Sequence, residues 1–219
     1  MNKPKHLNKV WPTRVKDVLS SHHLADLKKS GLSNKTILAA RIYSLSSKEA
    51  TAPLKRKKEI GGGYVIPYIG KDGFLESDLN FKLDTPLLSE EGKKPRKYIR
   101  PFGAKAHLYI PPKVWPIIGN VKVPIFLTEG EKKALKATEC GFYTVAVSGV
   151  WNWSSDHEPI KDLDLFEWRE RVVYIVFDSD KHENKSVLLA EKRLAEALTA
   201  KGAKIKIIDL PEEDEHETR

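Results

Sequence analysis

Between residues 121 and 211, short apolar runs alternate with amphipathic stretches, and this alternation constrains the fold more than any other feature of the chain. Val123–Leu127, Tyr143–Val147, Val172–Phe177 and Lys204–Leu210 read as strands. All four are short for core helices, and the first three are nearly continuous in apolar residues, which is the pattern of a parallel sheet covered on both faces. Glu131–Thr138 and Ser186–Ala200 carry helical periodicity, and Gly141 ends the first of them. Strand–helix–strand units of this kind imply an α/β domain, a parallel sheet flanked by helices, of about ninety residues.

The preceding 120 residues read differently. Leu24 and Leu27 begin a helical pattern that Ser30-Gly31 stops, and Ser33 is placed to cap a second helix through Ile37 and Leu38. Two short helices around a Gly-containing turn fit either a DNA-reading helix-turn-helix or a plain helical hairpin. The run Lys55-Arg56-Lys57-Lys58 and then Gly61-Gly62-Gly63 suggests a flexible boundary near residue 60. From Tyr64 the pattern is β-like: Tyr64–Ile69 with an edge-type proline, a Lys71-Asp72-Gly73 turn, and one or two strands over Phe74–Leu83. These readings divide the chain into a basic helical module (1–60), a small basic β-rich subdomain (61–120), the α/β domain (121–211) and an acidic tail (212–219).

Charge follows the same division. Residues 1–120 carry 23 Lys and Arg against 10 Asp and Glu, a net +13, and residues 121–219 carry 15 against 20, a net −5. A basic half beside an acidic half suits polyanion binding next to carboxylates that hold a metal. The stretch Lys93–Arg100 sets five cations around Tyr98. Cations for phosphates beside a ring that stacks on a base suit single-stranded nucleic acid or a nucleotide. The lone Cys140 excludes a disulfide framework and a Cys-x-x-Cys zinc site. His22-His23 and His157 offer no ligand spacing, and His182 reads as part of a solvated turn. The longest apolar runs fall far short of a membrane span and MNKPKHLNKVW has no apolar leader, so a cytoplasmic protein with no membrane partner is expected.

The candidate chemistry lies at the strand ends. In an open parallel sheet, ligands gather at the carboxyl edge. Glu129-Gly130 follows one strand and Asp178-Ser179-Asp180 another, with Asp178 and Asp180 on one side of extended backbone. Converging carboxylates repel one another unless a cation neutralises them, and an oxygen-only set suits Mg²⁺ or Mn²⁺. Gly130 leaves room for a phosphate or a water-bound metal. An acidic residue after a strand also serves simply to cap the next helix, and that reading stays open for each of the three taken singly. Trp151 and Trp153, around Asn152, face either a base or the sheet.

Taken together, VPIFLTEGEKKA at 123–134 and VVYIVFDSD at 172–180 resemble the TOPRIM domain of bacterial-type primases, topoisomerases and some nucleases. Ser148-Gly149-Val150-Trp151-Asn152-Trp153 looks like the loop after the middle strand of primase-type members. Tyr64–Ile69, Lys71-Asp72-Gly73 and Arg96-Lys97-Tyr98 look like the basic subdomain that precedes it. Over roughly residues 22–211 the chain is most similar to primase-like proteins of plasmids, phages and integrated elements.

The resemblance implies that Glu129, Asp178 and Asp180 are catalytic and hold Mg²⁺ or Mn²⁺, with Glu131 an outer-shell candidate. It also implies that Lys97, Tyr98, Arg100, Lys105, Gly130, Ser148, Gly149 and Trp151 contact nucleic acid or nucleotide. The implied activity is metal-dependent nucleotidyl transfer on a single-stranded DNA template from nucleoside triphosphates, with a replicative helicase as a further partner. A metal-dependent nuclease and a non-catalytic nucleic-acid-binding accessory protein are the alternatives. Three departures from the family pattern stand out. There are no cysteine pairs for a primase zinc module, there is no Gly-x-x-x-x-Gly-Lys-Ser/Thr loop, and after Pro211 the chain runs Glu212-Glu213-Asp214-Glu215 to Arg219. That end reads either as a solvated tail or as a cut in a longer replication protein.

Overall fold

The computed structural model describes residues 11–73, 75–88, 95–155, 158–178 and 184–211. The chain divides into two compact units, Met1–Lys105 and Ala106–Arg219, where the sequence suggested boundaries near residues 60 and 120. Backbone pairing explains the difference at both places. A strand from before residue 60 joins the sheet that follows it, and Tyr109 bridges to Ala146 in the second unit.

The first unit is a four-stranded antiparallel sheet with short helices. Helices α1 (Ser21–Lys29) and α2 (Asn34–Ala39) are followed by β1 (Tyr43–Leu45), α3 (Ser47–Ala50), β2 (Gly63–Ile69), β3 (Leu75–Leu87) and β4 (Arg96–Ile99). The sheet order is β1-β2-β3-β4. Ser33 caps α2 as expected, accepting a hydrogen bond from the Thr36 N–H at 3.2 Å. Ser46 and Glu49 form a reciprocal capping box on α3. Gly61–Gly63 is not a hinge: Gly63 opens β2, and a side chain there would place Cβ 2.0 Å from the Lys82 carbonyl oxygen. Pro67 is tolerated inside β2 because β1 reaches only as far as Val65, so the missing N–H falls where no neighbour is paired on that side. Val65, Leu79, Phe81, Leu83 and Ile99 pack with Ala50 and Leu54 to form the core of this unit.

The second unit contains the parallel sheet. Strand β5 (Ile125–Glu129) leads to α4 (Glu131–Glu139) and β6 (Thr144–Val147). A two-residue ribbon of β7 (Ser154–Ser155) and β8 (Glu158–Pro159) precedes β9 (Val172–Val176), α5 (Lys185–Ala200) and β10 (Lys204–Ile207). The order is β10-β9-β5-β6, with all neighbouring pairs parallel. Ile125, Leu127, Val145, Val147, Val173 and Ile175 alternate onto one face and share a core with Leu194 and Leu198 of α5. Helix α4 is tied to the start of β6, where Thr138 Oγ1 accepts a hydrogen bond from the Thr144 N–H at 3.1 Å. The two edges of the sheet differ. Tyr109 exchanges both backbone hydrogen bonds with Ala146 and closes the β6 side, whereas β10 is an edge strand carrying Lys204 and Lys206. Among the described residues, no helix is long and apolar enough to cross a membrane.

Candidate active site

The strand order creates the site. From β5 the chain crosses to β6 on one side, and from β9 it crosses to β10 on the other, while β5 and β9 are hydrogen-bonded neighbours. With crossovers of the usual right hand, connections in opposite directions send α4 and α5 to opposite faces, the arrangement in which open α/β sheets take ligands at the carboxyl ends of their strands. Glu129 is the last residue of β5, and Asp178 lies two residues beyond β9. Thr128 pairs with Val176, so the two carboxylates leave neighbouring strands at the same edge.

Gly130 joins β5 to α4 with φ +92° and ψ 133°, a backbone region open to glycine and closed to other residues. Its N–H donates to the Val147 carbonyl at 2.9 Å, which fixes the turn to the end of β6. Among the described residues, and apart from its chain neighbours, a Cβ at that position would meet no atom within 4 Å, so glycine leaves space beside Glu129. Asp178 accepts an ion-paired hydrogen bond from Lys133 Nζ of α4. The two side chains are 42% and 54% exposed, and an ion pair so open to water contributes at most about 1 kcal/mol. The sequence reading missed Lys133. A signal was available, because a lysine in the first turn opposes the helix dipole and calls for a nearby carboxylate.

Glu131 opens α4 and is 4% exposed. Its charge acts on the Tyr109 phenol, whose ionisation is pushed well above the ordinary tyrosine range, first by burial and then by that carboxylate. After β6 the loop is knitted to itself: the Asn152 N–H donates to the Gly149 carbonyl at 2.8 Å, and Asn152 Nδ2 donates to Ser148 Oγ at 3.2 Å. The two tryptophans do not face one way. Trp153 is in the core, and Trp151 remains 39% exposed while its Nε1 donates to Ser186 Oγ at 3.0 Å. That bond links the loop after β6 to the first turn of α5. Glu129, Gly130, Ser148, Gly149, Trp151 and Asp178 therefore all follow or end strands at one edge of the sheet. Asp180, expected to complete the acidic set, lies outside the described residues, as do His157, His182 and the tail from 212 onward.

The basic candidates belong to the first unit and are not equivalent. Lys97 and Lys105 are exposed. Arg100 is largely buried, ion-paired with Asp78, and lies with its guanidinium 5.7 Å from the centre of the Tyr68 ring. Tyr98 sits opposite Lys82 in the β3–β4 register, and Lys82 sits opposite Tyr64. Lys82 Nζ and the Tyr64 hydroxyl both donate to the Asp26 carboxylate of α1, at 2.6 and 2.7 Å. Burial first, then Tyr98 and Asp26, push the Tyr64 phenol far above its ordinary range. Lys93 and Lys94 of the same basic run lie outside the described residues.

The fold recurs in solved structures. The Aquifex aeolicus primase, in its zinc-binding and RNA polymerase domains, superposes with a TM-score of 0.60 at 16% identity, over 89% of this chain and 51% of that one. A DnaG catalytic core gives 0.61 at 16% identity, over 89% and 66%. The RNA polymerase domain of Mycobacterium tuberculosis primase DnaG, in complex with double-stranded DNA, gives 0.55 at 13% identity, over 86% and 65%. The fold is similar to that of primase catalytic cores. A family model described as a domain of unknown function, DUF3854, matches residues 114–217. An uncharacterised protein of Picosynechococcus sp. (strain ATCC 27264 / PCC 7002 / PR-6) is 28% identical over 165 residues, which is 58% of this chain and 16% of that protein. The chain thus spans half to two-thirds of the solved chains it resembles and a sixth of the curated relative.

Proposed function

We propose that this chain performs primase-like, metal-dependent nucleotidyl transfer on a DNA template, as primer synthesis in the replication of a plasmid, phage or mobile element. The observation that carries the reading is the position of Glu129 and Asp178 at the topological switch point between β5 and β9, in a sheet whose motifs resemble TOPRIM. The donors are all carboxylate oxygens, Gly130 leaves open space beside them, and the Lys133–Asp178 pair is exposed enough for a divalent cation to replace the ammonium. Glu129, Asp178 and Asp180 would hold Mg²⁺ or Mn²⁺, which stabilises the charge that develops on a triphosphate under attack. The chain's own part is to hold Glu129 at the end of β5 and Asp178 just beyond β9, to keep the space beside Glu129 clear, and to attract template and nucleoside triphosphate through Lys97 and Lys105. Trp151 offers a partly exposed ring for a base. A replicative helicase is the further partner this reading implies.

The Lys133 ion pair favours one alternative, a nucleic-acid-binding protein whose acidic edge is internally neutralised and does not turn over substrate. A single gel separates the readings. Single-stranded DNA is incubated with the protein, labelled nucleoside triphosphate and Mg²⁺ or Mn²⁺, beside Asp178→Ala. New labelled product that disappears in the variant is the expected result. Shortened DNA without nucleoside triphosphates would instead assign a nuclease. DNA binding with unchanged DNA in every lane, by a variant and wild type of equal stability, would overturn catalysis in favour of the binding role.

A further inference from the structure

The first unit holds a second cluster of ligating groups, independent of the acidic edge. His22 and His23 occupy the first turn of α1, and Asp84 lies near the end of β3, more than sixty residues away in sequence. His22 Nε2 lies 3.3 Å from Asp84 Oδ1 and His23 Nε2 lies 2.6 Å from the same oxygen. One ligand atom from each of the three residues falls within 4.8 Å of the other two. Adjacent residues on a helix are rotated by about 100° and normally diverge. Here the two rings converge, with centroids 3.9 Å apart.

The surroundings hold this convergence in place. His23 is 5% exposed, its ring edge-on to Tyr64 at 5.3 Å. Its other nitrogen, Nδ1, is 2.7 Å from Ser44 Oγ, and that hydroxyl oxygen also accepts the Ser20 N–H at 2.8 Å. A second hydrogen bond of this kind orients a ligating imidazole and fixes which nitrogen carries the lone pair. On the Asp84 side, the backbone N–H donates to the Gly62 carbonyl at 3.0 Å. A Cβ on Gly62 would lie 3.0 Å from Asp84 Oδ2, so the glycine leaves the carboxylate room beside it.

We infer that His22, His23 and Asp84 form a binding site for a borderline divalent cation of the Zn²⁺ and Co²⁺ class. Two imidazoles and one carboxylate are a donor set these ions prefer, unlike the oxygen-only set at Glu129 and Asp178. Tetrahedral bonds of about 2.1 Å separate ligand atoms by about 3.4 Å. The His22–Asp84 distance of 3.3 Å already matches that spacing, and the His23–Asp84 pair needs to open by under ~1 Å. Asp84, 40% exposed, has the freedom to move by that amount. Three protein ligands leave one place for water, and the bound ion fastens α1 to β3.

The test is Co²⁺ and Zn²⁺ titration of the tag-free full chain after chelator treatment, following the visible d–d bands of tetrahedral Co²⁺ and competition with a chromophoric chelator. The expected result is one equivalent bound, a Tm that rises with Zn²⁺, and no displacement by millimolar Mg²⁺. His22→Ala, at a side chain 65% exposed, should fold normally by circular dichroism and lose at least tenfold in affinity, and Asp84→Asn should do the same. Glu129→Gln should bind as wild type does. Absence of tetrahedral Co²⁺ bands, equal affinity in His22→Ala, or loss of binding in Glu129→Gln would each overturn the assignment. The last of these would place the ion at the acidic edge instead.

Discussion

Gly130→Ala isolates backbone conformation from packing at the candidate active site. The position has φ +92° and, among the described residues beyond its chain neighbours, no atom within 4 Å of where an added methyl group would stand, so the expected cost is conformational. Holding alanine in such a region costs about 1–3 kcal/mol, from which about 0.4–1 kcal/mol is recovered because alanine narrows the unfolded ensemble. The net expectation is a loss of between about 0 and about 2.6 kcal/mol, centred on ~1.3 kcal/mol. Any relaxation that relieves the strain must rotate the peptide whose N–H is bonded to the Val147 carbonyl, and so must move Glu129 as well. Two companions calibrate the measurement. Gly141→Ala has the same positive φ (+97°) and the same open surroundings at the other end of α4. Gly119→Ala has open surroundings and no positive φ, and should be neutral or stabilising by up to about 1 kcal/mol. Urea unfolding followed by circular dichroism gives the three stabilities, and Mn²⁺ binding reports on the acidic edge. Gly141→Ala should lose stability and keep Mn²⁺ affinity, whereas Gly130→Ala should lose both. A Gly130→Ala protein with wild-type stability and wild-type Mn²⁺ affinity would refute the reasoning.

Three further outcomes follow from the same contacts. Lys133→Met should change stability by less than about 1 kcal/mol and tighten Mn²⁺ binding by up to about fivefold, because the ammonium no longer competes for Asp178; weaker binding in isothermal titration would show that Lys133 assists the site. Asp78→Ala should destabilise the chain by about 2–4 kcal/mol, since it strands a largely buried Arg100 guanidinium, and a urea midpoint unchanged from wild type would contradict this. In an alkaline titration at 295 nm, Tyr43, Tyr64 and Tyr109 should stay neutral while the fold persists. Their folded ionisation is raised above the unfolded value of about 10, so the stability they contribute is complete below that pH and is lost as pH rises beyond it. Reversible titration of all seven tyrosines near the ordinary value, with native circular dichroism retained, would be the contrary result.

The strands of the second unit were legible because their apolar runs are short and bounded, with one face of β5, β6 and β9 fully buried and the other face of β5 and β9 half-buried, and the acidic edge was legible because a strand end is a fixed place in an open sheet. Sheet order was not. Nothing in a linear reading states that β9 lies beside β5 and not beside β6, yet that neighbour relation brings Asp178 to the edge where Glu129 stands. Lys133 was missed for the same reason, since its partner is forty-five residues away. His22 and His23 looked unpaired as ligands because the third donor, Asp84, arrives only when β3 packs against α1.

The basic run near residue 97 shows how a charge count misleads when the period of the backbone is ignored. Read as a loop, Lys97, Tyr98 and Arg100 form one solvated patch. As strand β4, successive residues face opposite sides of the sheet, so Tyr98 and Arg100 are set apart from Lys97. Tyr98 lies in a row with Lys82 and Tyr64. Arg100 is paired with Asp78, and Lys82 with Asp26. Cations held this way order the first unit and contribute little to its outward field, because each faces a carboxylate at contact distance. Of the basic candidates, Lys97 and Lys105 are the ones exposed to solvent, so under the proposed function the salt dependence of DNA binding should fall with their removal and be nearly indifferent to Arg100. The count of 23 Lys and Arg over residues 1–120 therefore overstates the cations available to a polyanion, and Lys82 and Arg100, whose partners come from a distant strand or helix, are among those to be set aside.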